Sequence, residues 1–514
     1  MNNLIKKLIK FLIKYQLFIF FLFILIFRFF YAANVVNFTQ DQARDVWKME
    51  EFKQSGKFFI EYGPKASVGD FYLAPFYYQL QYWLSLVTGN HPLTMHWFIT
   101  LIESITPVVL FLLLKDITEK KYAYIISLLY ASSPIVTIFS TFAWNPNMIP
   151  FLSLTSLLFA QKHLSSNRKE HIILFSLFLT LAVHLHYQAI VLLPFYIFVF
   201  ILSVLKNRKN VKYWIIGILL ALMTLIPYIY AEIISNWQNT FKIFSYFTGE
   251  HSRYFDRISK PAFVLTFIPS FFERILIGQN YIFRKFILGR LIFWLGMIFL
   301  IIKSIKDKKV RIVLAYFIGI LLMLRVYKGD KLDYYMSTLF TFPYFLLAMF
   351  TKKLKIFSFV LIVIIASLIG YKYQSIKPNN QLKNLQNAIM YLNENVNEEK
   401  ISFHLHDDNY LNIFAYAVNR YSGFTQDKNS LMIVDVCSGL QACDWDGGLW
   451  CKHDRGYTHM VLFREKANYS PIKFYSDPEG YSLRIGAVDF IPEINYPVST
   501  YNSEYGNDLL DEGW

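Results

Sequence analysis

Long apolar runs of bilayer-spanning length alternate with short, mostly basic loops from near the N-terminus to Tyr373. Such runs are too long for ordinary core helices, so the pattern sets a mainly α, polytopic membrane fold before any motif is read. The first run, 11–31, follows Lys6, Lys7, Lys10 and Lys14, which places the N-terminus in the cytoplasm. No small-x-small cleavage site follows it, so it reads as a first transmembrane helix rather than a signal peptide. Further runs lie at 93–114, 122–143, 148–164, 172–187, 189–205, 213–230, 286–302, 310–326, 337–350 and 356–371. Every second connection is basic, at 115–121, 162–169, 206–212, 303–311 and 352–355, whereas 144–147 and 184–188 carry no Lys or Arg, although 327–336 carries Lys328 and Lys331. The alternation predicts about eleven spans with the N-terminus in and the C-terminus out. Several runs are short enough to be tilted or broken.

After Tyr373 the composition becomes that of a soluble protein, which divides the chain into a membrane module, 1–372, and an extracytoplasmic domain, 373–514. Strand patterns at 401–406 and 431–436 alternate with helical ones at 381–393 and 410–421, predicting a small α/β domain. Only 17% of the chain is charged, and the net charge of +15 sits mainly in the membrane loops. In the tail Asp and Glu outnumber Lys and Arg. That distribution sets topology and argues against nucleic acid as a partner. Cys437, Cys443 and Cys451 all fall in the tail, where an oxidising compartment favours one structural disulfide over a metal site lacking a convincing fourth ligand.

Two outside segments, 32–92 and 231–285, are too long to be connectors. Within the first, 71–87 reads as aromatic, amphipathic helix at the lipid interface. Just beyond the first span comes Asp41-Gln42-Ala43-Arg44-Asp45. On a helix, Asp41 and Asp45 share a face at i, i+4 and Arg44 lies beside Asp41 at i+3. A carboxylate kept ionised by that arginine could take a proton from an acceptor hydroxyl; a solvated helical turn would have the same spacing. Three further segments follow: Gly63-Pro64 with Phe71-Tyr72-Leu73-Ala74-Pro75-Phe76-Tyr77-Tyr78, then Trp144-Asn145-Pro146-Asn147, then His184-Leu185-His186-Tyr187-Gln188. His184 and His186, at i, i+2, point to different helix faces, which suits polar packing better than a metal pair. The chain has no phosphate-binding loop, dinucleotide fingerprint or zinc-protease helix motif.

Taken in order, these four segments resemble the GT-C superfamily of membrane glycosyltransferases, in particular bacterial relatives of protein O-mannosyltransferases and the lipid A aminoarabinose transferase. The resemblance covers roughly residues 1–350 and leaves the acidic tail unexplained. It implies a sugar delivered on a polyprenyl phosphate, a site on the extracytoplasmic side of the plasma (inner) membrane, and an Asp in the first outside loop that activates the acceptor. That role falls on Asp41, with Asp45 as partner. The chain departs from the family at Ala43, where relatives carry Gly. It departs again at Leu73-Ala74-Pro75, where the aminoarabinose branch has Lys-Pro-Pro for the lipid phosphate.

The phosphate-binding residue is therefore open. A departing phosphate needs cations near the membrane surface. Arg325, Lys328, Lys331, Lys65, Arg253 and Arg257 qualify by position, although Lys and Arg at helix ends also snorkel for structural reasons alone. Arg44, His184 and His186 are expected at the rim of an outward cavity. Arg28 and Glu103 lie inside apolar runs and would pair with each other or serve a site. The expected reaction is an inverting transfer from a polyprenyl-phosphate-linked sugar to a lipid, glycan or protein acceptor. No metal ligands are assigned, and the cofactor requirement, a divalent cation included, is open. The competing readings are a transporter or flippase of lipid-linked sugars, which would show repeats and midplane helix breaks, and a polysaccharide polymerase or ligase with its site in a late outside loop.

Overall fold

The computed structural model describes residues 14–66, 69–248, 262–278, 287–327, 333–351 and 353–374, and beyond these mainly the tail strands given below. The chain divides into two compact units. The first comprises Met1–Ala32, Lys57–Gly89 and Leu93–Ile376; the second comprises Ala33–Gly56, Asn90–Pro92 and Lys377–Trp514.

In chain order the helices begin with α1 Gln16–Asn34, α2 Gln40–Ser55, α3 Phe76–Thr88, α4 Thr94–Glu103, α5 Thr106–Leu114, α6 Lys120–Ser132 and α7 Pro134–Thr141. Then come α8 Ile149–Ser166, α9 Lys169–Leu185, α10 Leu193–Lys206, α11 Val211–Met223, α12 Ile226–Ile234 and α13 Gln238–Thr248. The last are α14 Ile268–Ile277, α15 Ile287–Lys306, α16 Lys308–Val326, α17 Phe342–Thr351 and α18 Lys355–Gln374.

Among the described residues, five stretches are long and apolar enough to cross a bilayer: Gln16–Asn34, Thr94–Leu114, Tyr187–Lys206, Ile287–Lys306 and Lys355–Gln374. Two bent pairs bring the number to seven if each crosses once: α6 with α7, bent by 63°, and Arg208–Met223 with α12, bent by 61°. The expected runs at 148–164, 172–187 and 310–326 do form helices, α8, α9 and α16. Of these, α9 is short for a span at 17 residues, while α8 and α16 carry polar or charged residues towards one end. The chain is a multi-pass membrane protein, and five to seven of the eleven expected spans are matched by this measure among the described residues. Helix breaks have local causes. Pro134 opens α7 immediately after Ser133, whose hydroxyl accepts the Val136 amide.

The first unit is apolar on its outside as well as its inside, as a lipid solvent demands. On α1, Ile24, Arg28 and Tyr31 are buried while Phe23, Ile26 and Phe30 face outward. Every residue of α17 is buried, which makes this short helix the centre of the late bundle. Phe342 stacks on Phe317 of α16 at 3.9 Å. At Gly296 of α15 an added β-carbon would collide with Leu346, so only glycine permits that approach.

In the second unit, β1 Val35–Val36 pairs in parallel with β2 Asn379–Asn380. A six-stranded mixed sheet is ordered β4-β3-β5-β6-β8-β7, formed by β3 Lys400–Leu405, β4 Thr425–Gln426, β5 Met432–Ser438, β6 Thr458–Glu465, β7 Pro471–Ser476 and β8 Tyr481–Val488. The expected strands at 401–406 and 431–436 are β3 and β5. The helices expected at 381–393 and 410–421 lie largely outside the described residues, as do Cys443 and Cys451 and with them the disulfide.

Candidate functional site

The acidic segment is the start of α2. Thr39 caps it in a reciprocal box with Gln42, whose carboxamide oxygen accepts the Thr39 amide at 2.9 Å. Gly56, at φ 64°, ends it in a left-handed turn. The cap fixes the helical phase, and the expected spacing becomes contact: Arg44 donates to Asp41 at 2.8 Å and to Asp45 at 3.0 and 2.8 Å through two nitrogens. The two carboxylates are not equivalent, because the Asp41 side chain keeps 37% exposure and that of Asp45 only 2%. Asp45 thus anchors the guanidinium from beneath. Asp41 is the carboxylate open to a reacting group.

In the first unit the other segments converge. Gly63-Pro64 and Phe71–Leu73 form two arms of a hairpin, with the Gly63 amide donating to Leu73 O and the Leu73 amide to Pro64 O, both at 2.9 Å. A side chain at Gly63 would run into the Ala74 carbonyl, which gives that motif glycine its physical reason. Helix α3 begins only at Phe76, because Pro75 disfavours helix at the residue before it; the interface helix is therefore shorter than 71–87.

The hairpin is tied to the second long outside segment. The Tyr72 amide donates to Asn239 Oδ1 at 2.6 Å, and Asn239 Nδ2 donates to Tyr228 Oη at 2.9 Å. Tyr62 Oη donates to Glu232 Oε1 at 2.9 Å, while the other Glu232 oxygen takes the Thr240 amide at 2.8 Å. Burial raises the Tyr62 phenol above its usual pKa, a shift that the Glu232 carboxylate reinforces.

The Trp144 and His184 segments meet beside the helical turn Asp333–Leu339. Asn145 Nδ2 donates to Leu185 O at 2.8 Å, and Trp144 packs on Tyr334 at 4.3 Å. Gln188 Nε2 donates to Tyr334 O and Ser337 Oγ at 2.7 and 3.0 Å. Tyr187 closes the circuit, with Phe71 at 5.9 Å between ring centres and its hydroxyl donating to Tyr72 O at 3.4 Å. His184 is buried, with Nδ1 3.3 Å from Thr224 Oγ1. Thr224 gives its own proton to Ala221 O, so Nδ1 is the donor. His186 instead accepts the Gln188 amide at 3.2 Å and lies against Tyr335.

The cation candidates separate. Lys65 is paired with Asp70 at 3.0 Å, and Asp70 is also held by Lys242. These two lysines draw the Asp70 carboxyl below its ordinary pKa. Arg325 ends α16 half-buried, with its Nε unpartnered among the described residues. Lys328, Lys331, Arg253 and Arg257 lie outside the described residues. Among the described residues no group of three or more His, Cys, Asp or Glu is placed to hold a metal. Glu232, Asn239 and Tyr62 escaped the sequence reading because no local spacing links them. A lone Glu at the end of the apolar 226–234 stretch was the one available signal.

Residues 73–230 match the model of the dolichyl-phosphate-mannose-protein mannosyltransferase family. The structure is similar to that of ArnT from Cupriavidus metallidurans bound to undecaprenyl phosphate, at TM-score 0.52 and 10% identity over 82% of this chain and 93% of that one. The same protein in its apo state gives a TM-score of 0.44 at 14% identity, over 78% and 68% of the two chains. The Archaeoglobus fulgidus oligosaccharyltransferase gives 0.42 at 13%, over 76% and 58%. The last two likenesses are too weak to carry argument, and no curated protein matches. The family model and the first fold likeness bear out the resemblance to GT-C glycosyltransferases.

Proposed function

We propose that this chain, a multi-pass membrane protein with a GT-C glycosyltransferase fold, moves a sugar from a polyprenyl phosphate to an acceptor outside the cytoplasm, with inversion. The observation that carries the reading is the unequal carboxylate pair on α2, with Asp41 accessible, Asp45 buried and Arg44 bound to both. Asp41 takes the proton of the acceptor hydroxyl as its oxygen bonds to the anomeric carbon. The bond from that carbon to the phosphate oxygen breaks, and polyprenyl phosphate leaves with the electron pair. Arg44 orients Asp41, with Asp45 completing the clamp.

Charge developing on the departing phosphate requires a cation with spare donors. Arg325 meets that need better than Lys65, because Lys65 already has Asp70 while an Arg325 nitrogen has no partner among the described residues. Lys331 and Arg253 stand beside Arg325 on charge and position in the sequence. The fold relative whose structure holds undecaprenyl phosphate supports that donor class. Sugar nucleotides fit poorly, being cytoplasmic, whereas Asp41 follows a first span whose basic flank marks the inner side. We place the protein in the plasma (inner) membrane, with the reaction and the tail on the extracytoplasmic face; a lipid, glycan or protein takes the sugar.

A deletion strain, analysed by mass spectrometry of lipid-linked sugars and envelope glycans, should accumulate a polyprenyl-phosphate sugar and lose one glycosylated product. An Asp41→Asn gene should restore neither, although its protein inserts normally. Full complementation by that variant would remove Asp41 from the mechanism.

A further inference from the structure

Arg28 is fully buried in the middle part of α1, on the face it shares with Ile24 and Tyr31. None of Nε, Nη1 or Nη2 has a hydrogen-bond partner among the described residues. A guanidinium in the membrane interior without acceptors is among the least tolerable arrangements a bundle can contain. Its surroundings are polar all the same. Tyr130 of α6, Glu103 of α4 and Tyr373 of α18 lie within electrostatic reach, and the Tyr130 hydroxyl is also buried without a partner. Tyr373 packs its ring on Phe27 and Tyr31 of α1 at 5.9 and 6.1 Å and donates its hydroxyl to Thr137 of α7 at 2.8 Å.

Glu103 does not bond Arg28 directly. One of its oxygens accepts the Thr106 hydroxyl at 2.9 Å and the other the Phe151 amide at 3.1 Å. The second bond puts the carboxylate on a free N–H in the first turn of α8, where the helix dipole favours negative charge. Two donors and the first turn of α8 thus favour the anionic form of Glu103, opposite in sign to Arg28. An anion bound to Arg28 would leave the region net negative in a low dielectric, whereas a neutral molecule able both to donate and to accept leaves it balanced. Water is the molecule of that kind small enough to link orphaned groups inside a packed bundle.

We propose that Arg28 and Glu103 are the two ends of a water-bridged ion pair within the membrane, shared with the Tyr130 hydroxyl. The pair locks the rotation of α1 against α4, α6 and α8.

The test combines labelling and stability on the purified protein in nanodiscs. Under pulsed X-ray hydroxyl-radical labelling, bound water generates radicals in place, so buried Tyr130 should be oxidised well above buried Tyr77, and Arg28→Met should remove the excess. Arg28→Met and Glu103→Gln should each lower the thermal midpoint, while the double variant, which keeps an acceptor for Phe151, should recover most of the loss. Tyr130 labelled no more than Tyr77, or a double variant no more stable than the worse single one, overturns the ion pair whether or not the protein transfers sugar.

Discussion

Arg44 and Arg28 place the same cation in two ways. Arg44 sits on a capped amphipathic helix between two carboxylates from its own turn, at 2.8 Å each, with part of its surface open. Arg28 sits on an apolar helix with no carboxylate of its own, and its nearest counter-charge, Glu103, belongs to another helix and bonds elsewhere. The first arrangement is assembled as soon as α2 forms. The second exists only after four helices have packed. Local pairing gives a charge that can be presented to a substrate, whereas pairing across elements gives a charge that holds a bundle together.

The strongest way to break this comparison is at the carboxylates of Arg44. Asp41→Asn should lower kcat by about 10²- to 10⁴-fold, the usual cost of losing a positioned general base, with little change in thermal midpoint. Asp45→Asn should do the reverse in emphasis: removal of a buried charged acceptor costs about 1–3 kcal/mol of stability and lowers turnover only through Arg44. Labelled-sugar transfer in detergent, run beside thermal unfolding, separates the two. If Asp45→Asn abolishes turnover at unchanged stability while Asp41→Asn is active, the roles are exchanged.

Arg44→Lys sharpens the same point at lower amplitude. A single ammonium cannot reproduce a planar fork bound to two carboxylates, so kcat should fall about tenfold although charge is conserved. An unaffected Arg44→Lys enzyme would mean that only the net charge beside Asp41 matters.

What could be read in advance follows the same division. The Asp41–Arg44–Asp45 contacts were legible because i, i+3 and i, i+4 neighbours meet whenever the backbone is helical, and Thr39 with Gln42 marks where that helix begins. The membrane class was legible because bilayer thickness imposes a length on each run. The closure of the outer segments was not. Tyr62 and Glu232 lie 170 residues apart and Tyr72 and Asn239 167 apart, and nothing in the spacing of either residue specifies the partner. The unequal exposure of Asp41 and Asp45 was equally hidden, since helical periodicity puts both on one face and only tertiary burial distinguishes them. In the tail, β3 and β5 showed clear apolar runs, whereas β6 to β8 mix His, Arg and Lys into their strands.

Glu232 tests whether pairing across elements matters as much outside the bundle core as at Arg28. It is fully buried and accepts from Tyr62 and from the Thr240 amide. Tyr62→Phe removes one donor to a buried carboxylate and should cost about 1–3 kcal/mol, read as a lower thermal midpoint. Glu232→Gln, which keeps an acceptor oxygen for the Thr240 amide and turns its Nε2 as a donor towards the Tyr62 oxygen, should cost less. A neutral Tyr62→Phe would mean that the hairpin is held by ring packing of Tyr62 on Tyr72 and Tyr228, at 5.4 and 5.6 Å, and not by the carboxylate.

The smallest effect belongs to Asp70, which joins Lys65 of the hairpin to Lys242 of α13 while remaining 61% exposed. Both lysines hold its carboxyl below the ordinary carboxylate pKa. A depressed folded-state value means that the contribution is present above the unfolded pKa, near 4, and is lost as pH falls through the folded one. At pH 7 Asp70→Asn should therefore lower the thermal midpoint slightly, and the gap to the parent protein should close on acidification below about pH 4. Exposure screens the pair, so the difference at pH 7 should also shrink as salt is raised, to little at about 1 M. The absence of a gap at any pH would show that Asp70 acts through its left-handed backbone, φ 50°, a conformation Asn adopts as readily as Asp, and not through its charge. In that case Asp70→Ala, which cannot take the turn cheaply, should destabilise more than Asp70→Asn at every pH.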